Sequence, residues 1–198
     1  MTVAIKNHSG GFTLIEAMVV LALVAIVSAI AIPAWQGMKR NSDLKSAAYE
    51  VMAAIQWAKS EAAKRNTCIG MQFNPPAPNL CPAGQGDCYE IFRDDAEPLG
   101  VACDHALTGA ERALIGTADN KILRAGGFGT KARINTTYPQ NAIAVTPRGL
   151  LRAGGLANGH IGLRAEAGTD HCYNLTLSPT AGLRLNSNRW NGTDCPTP

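Results

Sequence analysis

The sequence lacks the signatures of the common enzyme classes. It contains no H-E-x-x-H motif, no G-x-S-x-G motif and no phosphate-binding loop, since "GGFGTK" has the wrong spacing. The candidate bases His105, His160 and His171 have no nucleophile near them in the sequence. Cys-x-x-Cys pairs are also absent, which argues against zinc or thioredoxin chemistry. We therefore expect no enzyme, no cofactor and no bound metal.

A strong net charge is also missing, since the chain carries only +3 at pH 7. This balance creates no overall demand for a nucleic-acid partner. The charges are nevertheless unevenly placed: residues 67–111 contain seven acids and one Arg, whereas residues 112–198 contain ten Lys or Arg and four acids. One interpretation is two solvated faces. The other is that the acidic segment and the basic tail contact unlike neighbouring subunits.

Charge is absent from residue 17 to residue 38, and residues 17–32 are nearly all aliphatic. This stretch is long enough to span a bilayer, which takes about 20 apolar residues of helix. A secretory signal peptide would place its cleavage site after the apolar stretch, but here Gly10 and Gly11 stand before it. Cleavage after Gly11 would retain the helix and make Phe12 the new N-terminus. The short polar leader would stay in the cytosol.

One carboxylate, Glu16, stands inside the apolar run. A lone carboxylate in a spanning helix costs about 2.5–3.5 kcal/mol on insertion scales, so it requires a partner. The α-amino group that cleavage would create on Phe12 lies about one turn away along the same helix. The more useful geometry is intermolecular, with Glu16 of one subunit neutralising the Phe12 amine of a neighbour inside an apolar bundle.

Residues 10–35 carry a family resemblance. "GFTLIE" ahead of an apolar helix that contains Pro33 resembles the class III signal of type IV pilins and type II secretion pseudopilins. The resemblance implies that a prepilin peptidase cuts between Gly11 and Phe12 and methylates the Phe12 amine. It also implies that Glu16 guides the subunit into a helical filament. The alternative is an ordinary single-pass anchor that keeps its leader.

Helical periodicity continues beyond the apolar run and predicts one N-terminal helix over residues 12–66. Pro33 has no backbone donor, so a kink or local melting is expected there. Residues 13–35 are assigned to the membrane, and residues 36–66 to an amphipathic helix with one apolar stripe. The stripe consists of Leu44, Ala48, Val51, Ile55, Ala58 and Ala62. We expect it to pack against a globular head.

The rest of the chain after the leader (residues 1–11) and the helix predicts a β head, residues 67–198. Short runs rich in strand-forming residues are separated by turn chemistry. These runs are "TCIGMQF", "CYEIFRD", "ARINTTY", "AIAVTP", "HIGLRA", "YNLTLSP" and "GLRLNS". Asn158 and Gly159 form a strong type I′ hairpin signal before "HIGLRA". We therefore expect an α+β fold, with the long helix packed on two small antiparallel sheets.

All six cysteines lie in this head. An even number in a Gly- and Pro-rich region predicts up to three disulfides and an oxidising compartment. Cys68, Cys81, Cys88 and Cys103 can pair in three ways. Our working guess is Cys81 with Cys88 and Cys68 with Cys103. The triplets "CDH" and "DHC" are weak candidates for metal ligands.

The tail carries a second resemblance. "AVTPRGL", "GHIGLR" and "CYNLTLSPTAGLRL", followed by a last Cys195, resemble the C-terminal pattern of the GspH/FimT/FimU minor pilins. In that family a Cys before the penultimate strand commonly pairs with one after the last strand, which implies a Cys172–Cys195 bridge. Closing a loop of that length is worth roughly 3 kcal/mol in the entropy model.

DNA binding is the main competing function. Some FimT-type relatives bind DNA through a Gly-Arg-x-Arg motif by the last strand. The corresponding "AGLRLN" has Leu183 where the first Arg belongs, and only Arg184 lies close by. A basic patch with an aromatic would still bind phosphates without reading sequence, and in a salt-dependent manner. Its candidate members are Arg148, Arg152, Arg164, Arg184, Arg189 and Trp190.

These patterns together predict a minor pilin that is processed at the inner membrane. It would join other minor pilins and the major pilin, through an inner-membrane assembly platform, in a complex that primes assembly and caps the pilus tip. Its elaborate head, long loops and disulfides favour a minor over a major subunit. The head would lie in the periplasm before assembly and outside the cell afterwards. A minor pseudopilin of type II secretion shares all these features and is the alternative.

Overall fold

The computed structural model describes residues 11–83, 86–95, 103–105, 107–118, 120–129, 131–152, 159–165, 171–180, 182–192 and 195. The chain divides into two compact units, residues 1–39 and residues 40–198. Nearly all of the proposed leader, residues 1–10, lies outside the described residues.

Helix α1 runs from Leu14 to Arg65, close to the expected residues 12–66. It continues through Pro33 without a break, so the local melting expected there is not seen; a kink at this position stays a prediction. Asn66 ends the helix in the left-handed conformation, with φ of 52°. Asn is one of the few residues that adopt this conformation routinely at a helix C-terminus.

The head contains nine strands among the described residues, together with one short helix and one 3₁₀ turn. The strands are β1 (Cys68–Phe73), β2 (Cys88–Asp94), β3 (Ile122–Gly127), β4 (Arg133–Thr136), β5 (Ala142–Val145), β6 (Leu151–Arg152), β7 (His160–Arg164), β8 (His171–Leu177) and β9 (Leu183–Arg189). The short helix α2 is Gly109–Arg112, and the 3₁₀ turn is Pro139–Asn141. Each of the seven expected runs overlaps a strand, whereas β3 and β6 were not expected.

The strands form two antiparallel sheets, as expected. Sheet A has the order β3-β2-β1-β5-β6, and sheet B has the order β4-β7-β8-β9. The hairpin expected around Asn158 and Gly159 is not seen among the described residues, where β7 is paired on both edges, with β4 and with β8. Asn158 itself lies outside the described residues. Gly159 has another role: a Cβ there would come within 2.2 Å of the Tyr138 ring.

The apolar stripe of α1 forms the centre of the head's core. All six of its expected members, from Leu44 to Ala62, are buried. They pack in one cluster with inward-facing residues of both sheets, such as Met71 of β1 and Leu175 of β8. Apolar burial of this kind contributes roughly 25 cal/mol per Å². The second half of the helix is therefore part of the head's core.

Strand β1 is buried on both faces. One face contacts the helix, and the other includes Gly70 and Gln72. Gly70 makes room for the ring of Phe92 on β2, since a Cβ at this position would lie 2.3 Å from the ring. The outer face is covered by a segment around α2, which is joined to the sheet by the Cys68–Cys103 disulfide.

Candidate functional site

The expected processing site lies immediately before helix α1. Gly11 and Phe12 precede the helix, and Phe12 is 87% exposed. Thr13 caps the helix, because its Oγ1 accepts the backbone N–H of Glu16 at 3.3 Å. Glu16 therefore lies in the first turn, with its side chain exposed in the single chain.

The first half of α1 presents apolar side chains on every side. Exposed examples extend from Leu14 to Met38, and among the described residues this is the one helix long and apolar enough to cross a membrane. A helix that is apolar all round requires a lipid or protein environment. The arrangement is thus suited to membrane anchoring and to helix association.

Three disulfides stabilise the head. The bonded pairs are Cys68–Cys103, Cys81–Cys88 and Cys172–Cys195. The first two are the pairs of the working guess, and the third is the pair that the family resemblance implied. Cys172–Cys195 fastens the end of the chain to the outer face of sheet B, where the Asn174 amide also donates to the Cys195 carbonyl at 2.8 Å.

The acidic segment and the basic tail pair with one another inside the head. The pairs are Arg112–Glu90 at 2.9 Å, Lys121–Glu111 at 2.8 Å, Lys121–Asp95 at 3.3 Å and Arg133–Asp87 at 3.4 Å. Glu90, Glu111, Arg112 and Lys121 are buried. For these side chains the two interpretations of the charge asymmetry, solvated faces and contacts with other subunits, are both wrong. These four buried charges are used in intramolecular pairing within the head.

A buried carboxylate also holds the segment around α2 that covers the outer face of sheet A. Asp94 accepts the backbone N–H groups of Asp104 at 3.2 Å and His105 at 2.9 Å. Burial raises the pKa of Asp94 to about 6, although these hydrogen bonds oppose the shift. Helix α2 begins with a capping box in which Thr108 and Glu111 bind each other's backbone N–H.

The basic residues proposed for DNA binding are distributed over both sheets of the head. Arg184 and Arg189 stand at opposite ends of β9, about 17 Å apart at the usual rise of a strand. They also have opposite parity and so face opposite sides of sheet B. Arg152 lies on β6 of sheet A, and Arg148 lies in the turn before it.

Arg164 and Trp190 do come together. The Arg164 guanidinium carbon lies 4.9 Å from the centroid of the Trp190 ring. Arg133, which sequence reasoning did not single out, is the direct partner of Arg164 in the β4–β7 register. No local signal could have found it, because the two residues are 31 positions apart and meet only through strand pairing.

A helix that is apolar in its first half, preceded by the "GFTLIE" signal and followed by a disulfide-bonded head of two sheets, defines a type IV pilin-like protein. A model of the prokaryotic N-terminal methylation motif matches residues 6–32, and a model of type II transport protein GspH matches residues 47–181. The second match covers more than half of the chain, and the chain belongs to the GspH family. This family consists of structural pilins and pseudopilins that are not known as enzymes.

Individual relatives match this chain less completely, or at lower identity, than the family models suggest. Prepilin peptidase-dependent protein D of Escherichia coli (strain K12) is 38% identical over an alignment of 71 residues that covers 34% of this chain and 49% of that protein. The chain thus matches about half the length of this curated relative. Two crystal structures of the type IV minor pilin FimU of Pseudomonas aeruginosa PAO1 are similar at 20% identity, with TM-scores of 0.45 and 0.48. They cover 72% and 75% of this chain, and 92% of the FimU chain in each case.

Proposed function

We propose that this protein is a minor type IV pilin that a prepilin peptidase processes between Gly11 and Phe12. The observation that carries the proposal is the position of the processing signal, directly ahead of a helix whose apolar first half is exposed on all sides. Cleavage removes the polar leader, residues 1–11, and leaves a mature chain that begins with Phe12. Methylation of the new amine keeps its positive charge beside the helix N-terminus.

Glu16 is the proposed assembly residue. Its place in the first turn of α1 brings the carboxylate to the level of the mature N-terminus. In an apolar bundle an unpaired carboxylate is costly, and the Phe12 amine of a neighbouring subunit is the cation that a growing filament supplies. The pairing favours entry of subunits in one register.

Helix α1 anchors the protein in the inner membrane before assembly, as a single-pass segment with the head in the periplasm. Three disulfides suit that oxidising compartment. The assembly platform then transfers the subunit, with other minor pilins, into a complex that primes the pilus and remains at its tip next to the major pilin. A pull-down of the head with the other minor pilins of the same organism tests this partner set.

Two substitutions test the processing mechanism. Gly11→Ala blocks leader removal, measured as retention of the precursor mass, whereas Gly37→Ala, at a helical glycine with open space around it, leaves processing unchanged. Glu16→Ala permits processing but reduces recovery in sheared pili, and Asp43→Ala on the same helix does not. Normal piliation in both Gly11→Ala and Glu16→Ala would refute the mechanism.

A minor pseudopilin of type II secretion is the second candidate. The match of residues 47–181 to type II transport protein GspH supports it. The same match is compatible with a minor pilin, since the head of a pilin and that of a pseudopilin have the same general design. Deletion of the gene separates the two functions. Loss of twitching supports the pilus, and loss of exoprotein secretion with normal twitching supports the secretion system.

DNA binding during natural transformation is the third candidate, and the separation of Arg184 from Arg189 along β9 weakens it. The remaining basic surface at Arg164 and Trp190 keeps it testable by gel shift at low salt, where phosphate contacts are strongest. The fragment from Ser42 onward carries the whole core of the head. Absence of a shift at tens of micromolar protein would exclude this function.

A further inference from the structure

The edge strands of the two sheets differ in how well their backbones are protected. Among the described residues, sheet A ends at β3 and β6, and sheet B ends at β4 and β9. An unprotected edge is a template on which another chain adds a strand, so native proteins shorten, bulge or cover their edges. An edge that has none of these devices therefore indicates a place where a further strand is accepted.

Three of these edges are protected. Strand β6 has only two residues, and the N–H of Leu151 donates to the Pro179 carbonyl at 2.8 Å. Strand β4 has four residues, and the N–H of Ile134 donates to the Asp87 carboxylate. Strand β3 shifts its register against β2 and ends in two glycines, which weaken a strand. Each device removes part of the ladder that a new strand would require.

Strand β9 has none of these devices. It runs for seven residues, contains neither Pro nor Gly, and pairs with β8 in an unbroken register. The Ser178 N–H donates to the Gly182 carbonyl at 2.9 Å, and this bond sets the alternation of hydrogen bonds along the ladder. The residues of β9 that bond to β8 are Arg184, Asn186 and Asn188. The residues whose N–H and C=O groups point away from the sheet are Leu183, Leu185, Ser187 and Arg189.

The outward backbone groups of β9 select the kind of occupant. None of these four residues makes a backbone hydrogen bond at this edge with any described residue. Their N–H and C=O groups repeat at every second residue, about 6.8 Å apart at the usual rise of an antiparallel strand. An extended peptide carries a matching donor and acceptor at each of these positions, so the occupant that fits the edge is a further β-strand.

The side chains of β9 define the chemistry of that strand. Leu183 and Leu185 pack against the core and are only partly buried, so apolar residues opposite them would cover their exposed parts. Arg184 and Arg189 are exposed and make no ion pair with a described residue, and β9 contains no acid. Opposite charges across a strand pair are favourable, so acidic residues fit opposite the two arginines.

We propose that β9 binds an extended acidic segment of another protein, which adds a strand to sheet B antiparallel to β9. A second copy of this chain fits less well, because pairing two β9 strands would bring four arginines and no acid to one interface. The segment that fits carries acids opposite the two arginines and apolar residues opposite the two leucines. In a pilus this segment belongs to an unlike subunit, and only that assignment rests on the proposed function.

Fluorescence anisotropy of a labelled peptide, titrated with the whole chain in detergent micelles, tests the proposal. The probe is Glu-Thr-Val-Thr-Val-Glu-Val, whose first residue lies opposite Arg189 and whose last lies opposite Leu183 in the proposed register. This probe binds. A counterpart with Lys in place of both Glu binds at least about tenfold more weakly, because it places like charges opposite the arginines.

Two N-methylated forms of the probe separate strand pairing from general attraction by charge. Methyl groups on the third and fifth residues remove N–H groups that donate to the carbonyls of Ser187 and Leu185, and weaken binding at least about tenfold. Methyl groups on the fourth and sixth residues remove N–H groups that point away from β9. They leave the affinity within about threefold, because no hydrogen bond to β9 is lost.

Ser187→Pro is the matching change on the protein. It removes an outward N–H, and its ring obstructs the added strand, while the ladder bonds between β8 and β9 remain. Pro is tolerated at positions of an edge strand whose N–H faces solvent. Binding of the probe weakens at least about tenfold, whereas the control Ser187→Ala leaves the affinity within about twofold.

Three results would overturn the proposal. The first is no change in the anisotropy of the probe at hundreds of micromolar protein. The second is equal affinity for the two N-methylated forms, which would mean that charge and not strand pairing holds the peptide. The third is self-association of the chain alone that Ser187→Pro abolishes, which would make a second copy the occupant. All three are measured without pili, so failure here leaves the proposed pilin function intact.

Discussion

Replacing Arg112 tests whether the buried ion pairs hold the segment around α2 against sheet A. The side chains of Arg112 and Glu90 are 2% and 0% exposed, and Arg112 Nη1 lies 2.9 Å from Glu90 Oε2. Arg112 also donates to the Pro78 carbonyl at 3.2 Å and to the Gln72 side chain. Arg112→Met therefore removes the cation and leaves Glu90 charged in a dry environment.

The expected cost follows from that uncompensated charge. Removing one partner of a buried ion pair destabilises a protein by about 3–5 kcal/mol, because the remaining charge has lost its water and its partner. With a urea m-value of about 2 kcal/mol per M, the unfolding midpoint falls by about 2 M. The assay is equilibrium urea unfolding, followed by far-UV circular dichroism, of a fragment that starts at Arg40.

A second substitution separates the effect of the unpaired charge on stability from the effect of lost packing. Glu90→Gln removes the orphaned charge but retains an oxygen that accepts the Leu80 N–H, as Glu90 does. The double variant should recover at least half of the lost stability, since neighbouring charges couple by about 0.5–3 kcal/mol. Arg65→Met is the control, because the side chain of Arg65 is 42% exposed where it pairs with Glu61, and we expect a loss below about 1 kcal/mol. A loss in Arg112→Met no larger than in Arg65→Met, or no recovery in the double variant, would refute the reasoning.

Three further predictions concern the head. Folding raises the pKa of Asp94 from 3.8 to about 6, so the folded state binds this proton more tightly and the free energy of unfolding falls as the pH rises from about 4 to about 6. The urea midpoint measured across this pH range should depend less on pH in Asp94→Asn than in the parent. An identical pH profile in the two proteins would contradict the prediction. Replacing Cys172 and Cys195 together by Ser should lower the free energy of unfolding by about 3 kcal/mol relative to the oxidised parent, and the difference should vanish when both proteins are reduced. Tyr138→Phe removes the buried 2.6 Å hydrogen bond from the hydroxyl to the Gly159 carbonyl. It should lower the free energy of unfolding in urea by about 1–2 kcal/mol. Tyr49→Phe, at an exposed site, should cause no measurable loss.

Local sequence patterns were sufficient to predict the helix and many of the strands. The spacing of Leu44, Val51 and Ile55 predicted the buried face of α1, because a helix turns each third or fourth residue to the same side. The run "CYEIFRD" matched β2 residue for residue. Such features depend on the chain's own periodicity and require no knowledge of distant neighbours.

Other elements could not be predicted locally. Strand β3 contains Gly126 and Gly127 and has little strand propensity of its own. It exists because it pairs with β2, where Gly126 leaves room for the Tyr89 ring. The two-residue β6 is likewise defined by its bonds to β5. In both cases a partner distant in sequence supplies the stabilising contacts.

The sequence by itself determined the processing signal, the apolar helix and the family, because these are written in contiguous residues around Gly11 and in a helical repeat. Only the tertiary structure decided how the charges are used. Strand pairing and the Cys68–Cys103 bridge bring the acidic segment against Arg112 and Lys121, and strand register brings Arg133 next to Arg164. Coulombic interactions depend on distance in space rather than along the chain, so a charge count could not distinguish a solvated face from a buried pair.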